Sequence, residues 1–127
     1  MESFPDDLSK RFLNFVIGII KIEKQLCKTY SGRHIYGQLF RSGSSAGANY
    51  EEARAAESRA DFIHKMQIVL KELRESHYWI KLIIFSGMID ENEATEFLLK
   101  ESKELSDISA KSIVTAKSKI FKNKSQV

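Results

Sequence analysis

Three histidines, at 34, 64 and 77, and one cysteine, Cys27, are the residues best suited to metal binding or nucleophilic chemistry. No two histidines stand at i and i+4, and no HExxH stretch places a zinc ion on one helix face. Asp61 and His64 form a single i, i+3 pair. A di-iron helical site needs a Glu-x-x-His pair from each of two helices, and Asp61 also reads as part of a helix cap. A lone cysteine allows neither an intramolecular disulfide nor a thiolate zinc cluster. Its helical neighbours Ile19, Glu23 and Leu26 make it a small apolar filler. Serine is plentiful, but no spacing selects a Ser-His-Asp or Cys-His arrangement. Glu72 and Glu75 are interleaved by Lys71 and Arg74, as on an ordinary charged face. The expectation is a protein that is not an enzyme, with no catalytic residue, no metal and no cofactor.

The most unusual segment is Arg41-Ser42-Gly43-Ser44-Ser45-Ala46-Gly47-Ala48-Asn49. A phosphate loop would need a lysine after the last glycine and a strand before the segment, and neither is present. Gly43 and Gly47 instead stand one turn apart in a helical pattern, although glycine there costs about 1 kcal/mol against alanine. Small residues at that spacing let another helix approach closely. Arg41, Ser45, Asn49 and Glu52 lie at i, i+4, i+8 and i+11 along the same helix. Such a polar line is either a solvated face or a device that fixes register within or between subunits. Farther on, seven acids stand against two lysines from Asp90 to Asp107. Beyond that come Lys111, Lys117, Lys119, Lys122 and Lys124 with no acid. The helix dipole accounts for the sign at each end, while contact with phosphates would also account for the continuation into the tail.

These residues must be positioned by helices. The 127 residues contain one proline and six glycines, too little turn punctuation for a sandwich or barrel. Leu8, Phe12, Phe15, Val16, Ile19, Ile22 and Leu26 recur at spacings of three and four, predicting a first helix over 6–28 that ends at Thr29-Tyr30-Ser31-Gly32. A second helix, 33–55, carries Ile35, Leu39, Ser42, Ala46, Tyr50 and Ala53 on one face. Ser58 with Asp61 starts a third, 59–86, with Phe62, Met66, Val69, Leu73, Ser76, Ile80 and Ile83 inward, and Gly87 stops it. Asp90 with Glu93 starts a fourth, 90–121, with Ala94, Phe97, Leu98, Leu105, Ile108 and Ser112 inward. Connections of two to five residues force neighbours antiparallel. The fold class is thus all-α: one domain, residues 1–127, forming an antiparallel up-down-up-down four-helix bundle.

Hydrophobic residues make up 43% and charged residues 29%, an ordinary globular balance. A net charge of +3 permits contact with nucleic acid without demanding it. The acidic opening Met1-Glu2-Ser3-Phe4-Pro5-Asp6-Asp7 is unlike a signal peptide. The longest apolar run, Phe15 to Ile20, is far short of a membrane span. The expectation is a cytoplasmic protein with no membrane contact. Apolar positions exceed what one buried stripe needs, with Phe40, Tyr78, Trp79 and Ile84 left over, so a subunit interface is expected.

The run from Arg41 through Tyr50-Glu51-Glu52-Ala53, then Ser58-x-x-Asp61-Phe62-Ile63, then Lys71-Glu72-Leu73-Arg74-Glu75, resembles the 23S rRNA intervening-sequence proteins. Tyr78-Trp79-Ile80 matches a subgroup of that family, and the resemblance covers nearly the whole chain. Many members have Ile-Ala-Glu-Gly where this chain has Tyr50-Glu51-Glu52-Ala53, which again fits the subgroup. The resemblance implies a left-handed antiparallel bundle assembled as a homopentamer. Family genes often lie inside 23S rRNA gene insertions. Relatives also serve as basic accessory proteins of diversity-generating retroelements, which look like binders of RNA and of a reverse transcriptase. The function expected is therefore an oligomeric RNA-binding or ribonucleoprotein accessory module, with an oligomeric scaffold for protein partners as the alternative. Lys111, Lys117, Lys119, Lys122 and Lys124 are the expected nucleic-acid contacts. Arg41, Gly43, Ser45, Gly47, Asn49, Glu52, Glu72 and Trp79 form the expected structural or interface signature.

Overall fold

Asp6 starts the fold as a helix cap, its carboxylate accepting the Ser9 N–H at 2.7 Å. That backbone hydrogen bond holds the Asp6 carboxyl below the usual carboxylate range. The structure is a computed structural model that describes residues 6–125, with side chains described through Ile120. Lys122 and Lys124 therefore have side chains outside the described residues, and Pro5 lies outside them altogether.

Helix α1 (Asp7–Lys21) buries Phe12, Phe15 and Ile19. The single helix expected over 6–28 is in fact two. At Ile22 the backbone reaches φ −93°, ψ 0°, its N–H turns back to the Ile19 and Ile20 carbonyls, and a separate turn, α2 (Glu23–Leu26), follows. Neither glycine nor proline marks the break; Ile22 and Leu26 are both buried, so the core face is continuous across it.

Helix α3 (Tyr30–Arg54) begins three residues earlier than expected, with the Thr29 hydroxyl accepting the Gly32 N–H at 3.0 Å. Gly32 is thus not a helix stop but part of the next helix's first turn. A Cβ there would lie 1.8 Å from the Leu26 carbonyl oxygen, so the close return of the chain requires glycine. Helix α4 (Arg59–Ser86) has the expected ends, with the Ser58 hydroxyl accepting the Asp61 N–H and Gly87 at φ +75°. Helix α5 (Glu93–Ser125) is capped by Asn92 rather than Asp90. Asn92 Oδ1 accepts the Thr95 N–H while Thr95 Oγ1 accepts the Asn92 N–H, a reciprocal box that the search for an acid at the third position overlooked.

The described residues form an all-helical bundle with no strand. Helix α3 packs along α4, α4 along α5, and α1 against both α3 and α5. Phe12, Phe15, Leu39, Met66, Leu73, Ile80, Leu98 and Leu105 are almost wholly buried. Each such side chain contributes about 1.5–3 kcal/mol relative to exposure. The faces expected for α3 and α4 are the buried ones. That of α5 is rotated: Ala94 and Phe97 are exposed, whereas Thr95, Leu98, Ser102, Leu105, Ser109, Ile113 and Ala116 are buried. Ser106 and Ser109 satisfy their hydroxyls on the carbonyls four residues back, at 2.7 and 2.8 Å. Hydroxyls tethered in this way pack like small apolar groups, which an apolar-stripe search passes over.

Gly32 and Gly37 make a controlled pair, because a Cβ at Gly37 meets nothing within 4 Å. Gly37→Ala should gain about 0.5–1 kcal/mol from helix propensity, while Gly32→Ala should lose stability despite the same gain. Denaturant unfolding of both variants checks this; equal stabilisation would show that the Leu26 contact imposes nothing.

Candidate nucleic-acid interface and the helix seam that supports it

The polar line on α3 is part of its seam with α4. Arg41 Nη1 donates to Glu72 Oε2 at 3.1 Å, and its Nη2 donates to Glu75. Glu72 and Glu75 are therefore not an ordinary charged face: Glu72 is only 8% exposed and the pair clamps one arginine. Eleven residues along α3, Glu52 accepts from Lys65 Nζ at 2.9 Å. Between these two bridges Asn49 Nδ2 turns to its own helix, donating to the Ser45 carbonyl and hydroxyl. Beneath the line, the fully buried hydroxyls of Ser42 and Ser76 share a hydrogen bond of 2.7 Å. These contacts fix one axial register between α3 and α4. Trp79, half-buried, meets Tyr78 edge to face at 5.1 Å, and its buried indole N–H has no acceptor among the described residues, so what it adds there is apolar contact.

Gly43 and Gly47 of α3 face α1 and differ from each other. A Cβ on Gly43 would lie 2.5 Å from Ile19 Cδ1, whereas one on Gly47 would meet Phe12 Cβ at 3.6 Å, an ordinary contact. Close helix approach is thus concentrated at Gly43, and Gly47 borders a groove of about 270 Å³ with Phe12, Leu13 and Val16.

At the end of the fold where α3 finishes and α4 starts, α5 presents Lys111, Lys117 and Lys119, all exposed. Lys111 and Lys119 line one side of an open cleft of about 670 Å³, and the α3–α4 turn with Arg59 lines the other. Arg59 did not stand out in the sequence. The available signal was topological: antiparallel connections bring the start of the third helix to the end where the basic tail emerges. On the acid-rich half of α5, Arg11 grips Glu101 (3.0 Å) and Glu104 (2.8 Å).

Several of the groups that could do chemistry are otherwise engaged. His77 Nδ1 lies 2.8 Å from the Ser102 hydroxyl, and burial, with Lys81 and Lys103 nearby, pushes its pKa down. Burial pushes the Cys27 thiol up, away from a reactive thiolate. Tyr50 donates to Asp6 at 3.3 Å and is pushed up to about 12 by burial and that carboxylate. Among the described residues no group of three or more His, Cys, Asp or Glu is placed to hold a metal ion, and no helix is long and apolar enough to cross a membrane.

Gly43→Leu should overpack the α1 contact and lose about 1–3 kcal/mol, whereas Gly47→Ala should be neutral to stabilising; thermal unfolding separates the two, and the reverse order would refute the close approach at Gly43. Arg41→Ala should cost about 1 kcal/mol, less than for a buried pair because the arginine is half exposed. A double-mutant cycle with Glu72→Gln should give a coupling of about 0.5 kcal/mol or more, and strict additivity would show that the bridge does not stabilise the seam.

Comparison with known proteins agrees with this architecture. The defining pattern of the 23S rRNA-intervening sequence protein family matches residues 7–111. The chain is also similar to a crystal structure of a protein of unknown function from the S23 ribosomal protein family of Bacteroides thetaiotaomicron VPI-5482. The two are 36% identical, with a TM-score of 0.75 over 84% of this chain and 97% of that one. No curated protein matches the chain. With its pattern matched from the start of α1 well into α5, the chain belongs to the 23S rRNA-intervening sequence protein family.

Proposed function

We propose that this protein is a non-enzymatic, homo-oligomeric module that binds RNA or serves a ribonucleoprotein, including one with a reverse transcriptase, in the cytoplasm. The four long helices are read as a left-handed up-down-up-down antiparallel four-helix bundle, with α2 a detour in the first connection. The observation that carries the RNA reading is the acid-free end of α5, where Lys111, Lys117 and Lys119 stand exposed beside Arg59. Phosphate contacts from lysine and arginine need no base recognition and gain free energy from counterion release. A homopentamer would repeat the patch five times and strengthen binding without a new kind of contact. The non-enzymatic reading rests on the partners already occupying His77, Glu72 and Tyr50.

Self-association is supported by α1, whose Leu13, Ile17 and Ile20 stand about half exposed at spacings of four and three. Tyr78, Phe85 and Phe97 add exposed rings elsewhere. That outer apolar stripe also favours a second reading, an oligomeric scaffold that takes protein partners and no nucleic acid.

RNA affinity measured across a salt series tests the first reading. Wild type should bind with a steep negative slope, and a Lys117, Lys119, Lys122, Lys124→Ala variant should bind more weakly with a shallower one. No measurable binding by wild type would favour the scaffold, and an unchanged slope in the variant would remove the tail from the mechanism. Sedimentation should give an oligomer, expected as a pentamer; a stable 14.6 kDa monomer at micromolar concentration would refute self-association.

A further inference from the structure

We propose that the cleft between the α3–α4 turn and the C-terminal half of α5 is a nucleotide site, holding phosphate on Arg59, Lys111 and Lys119 and a base against Phe62. The inference rests on the RNA-binding reading and goes beyond it, because it divides the lysines of α5 into those that line a shaped site and those that merely add charge.

Charge pairing is the first observation. Arg11, Arg41, Arg54, Lys65 and Lys103 are all in ion pairs with carboxylates. None of the ion pairs among the described residues uses Arg59, Lys111 or Lys119, although these cations come from two helices and border the same space. Glu57 is the acid in the lining, so the cleft keeps an excess of positive charge. Three cations against one carboxylate around one concavity repel one another, and a bound anion reduces that repulsion.

Shape is the second. A volume of about 670 Å³ falls within the roughly 300–1,000 Å³ typical of small-molecule sites and exceeds what a lone phosphate needs. Lys111, Thr115 and Lys119 are spaced four apart on α5, so they form one wall about 12 Å long at 1.5 Å rise per residue. The two ammonium groups can therefore reach different phosphates, with the Thr115 hydroxyl between them as a donor. The floor is apolar: Phe62, which is half-buried, and Ile108 offer a surface for the face of a base. Lys117 is exposed on the same helix but does not border the cleft, so it adds charge without lining the site.

The test is fluorescence anisotropy of a labelled short oligouridine with wild type and the variants Arg59→Ala, Lys111→Ala, Lys119→Ala, Phe62→Leu and Lys117→Ala. The cleft lysines and Arg59 should each lose about threefold or more, with the salt slope falling by about one per contact, and Lys117→Ala should lose less than either cleft lysine. Phe62→Leu keeps an apolar side chain but removes the ring, and should weaken binding without changing the slope. Equal losses at Lys117 and Lys119 would overturn the cleft while leaving the RNA reading standing, as would no loss at any position. If wild type binds no RNA, the RNA reading fails by itself, and titration with uridine monophosphate and inorganic phosphate, followed by backbone amide NMR, decides the site. Shifts confined to the cleft with the monophosphate would support it as a free-nucleotide site. Shifts with phosphate alone, or none, would overturn it.

Discussion

Helix α3 has to be approached closely on two sides at once, and the rest of the fold follows from that constraint. Toward α1 it presents Gly43, where a methyl group would sit 2.5 Å from Ile19. Toward α4 it presents Ser42, whose buried hydroxyl meets that of Ser76. Neither side chain projects far from the helix, so the neighbouring helices are held by short distances and a shared polar contact rather than by interlocked large residues. Leu39 and Ala46 continue the buried face around these small positions. A surface made of small residues has little lateral grip, and that is where the charged bridges matter. Arg41 with Glu72 and Glu75, and Glu52 with Lys65, would be broken by a slip of one helical turn.

Charge in this protein is divided by place. Glu101 and Glu104 of α5, and Glu72 and Glu75 of α4, are paired with arginines of neighbouring helices, which ties helices together. The opposite end of α5 has bases with no such partners among the described residues. A modest net charge of +3 thus understates the local field. Sequence-wide charge is a poor guide to binding when acids and bases are segregated to opposite ends of one helix.

Serine in helices has two uses here. On α5, Ser106 and Ser109 return their hydroxyls to their own backbone and pack as small core residues. Between α3 and α4, Ser42 and Ser76 spend part of theirs on each other. Both uses satisfy a buried polar group, but only the second specifies which helix lies opposite.

The sequence by itself determined helix content, the inward faces of α3 and α4, the caps at Ser58 and Gly87, and the family, because these depend on periodicity and local hydrogen bonds within a few residues. The spacing of Gly43 and Gly47 marks both as places for close helix approach, and the contact is tight only at Gly43. What lay opposite each residue could not be read along the chain. The tertiary structure decided that Glu72 is buried under Arg41, that Gly43 is tight and Gly47 is not, and that Gly32 opens a helix rather than ending one. It also decided that α5 turns a serine-lined face inward and that Arg59 joins Lys111 and Lys119 around one cleft. Each of these depends on contacts between residues distant in sequence, whose distances are set by how whole helices pack.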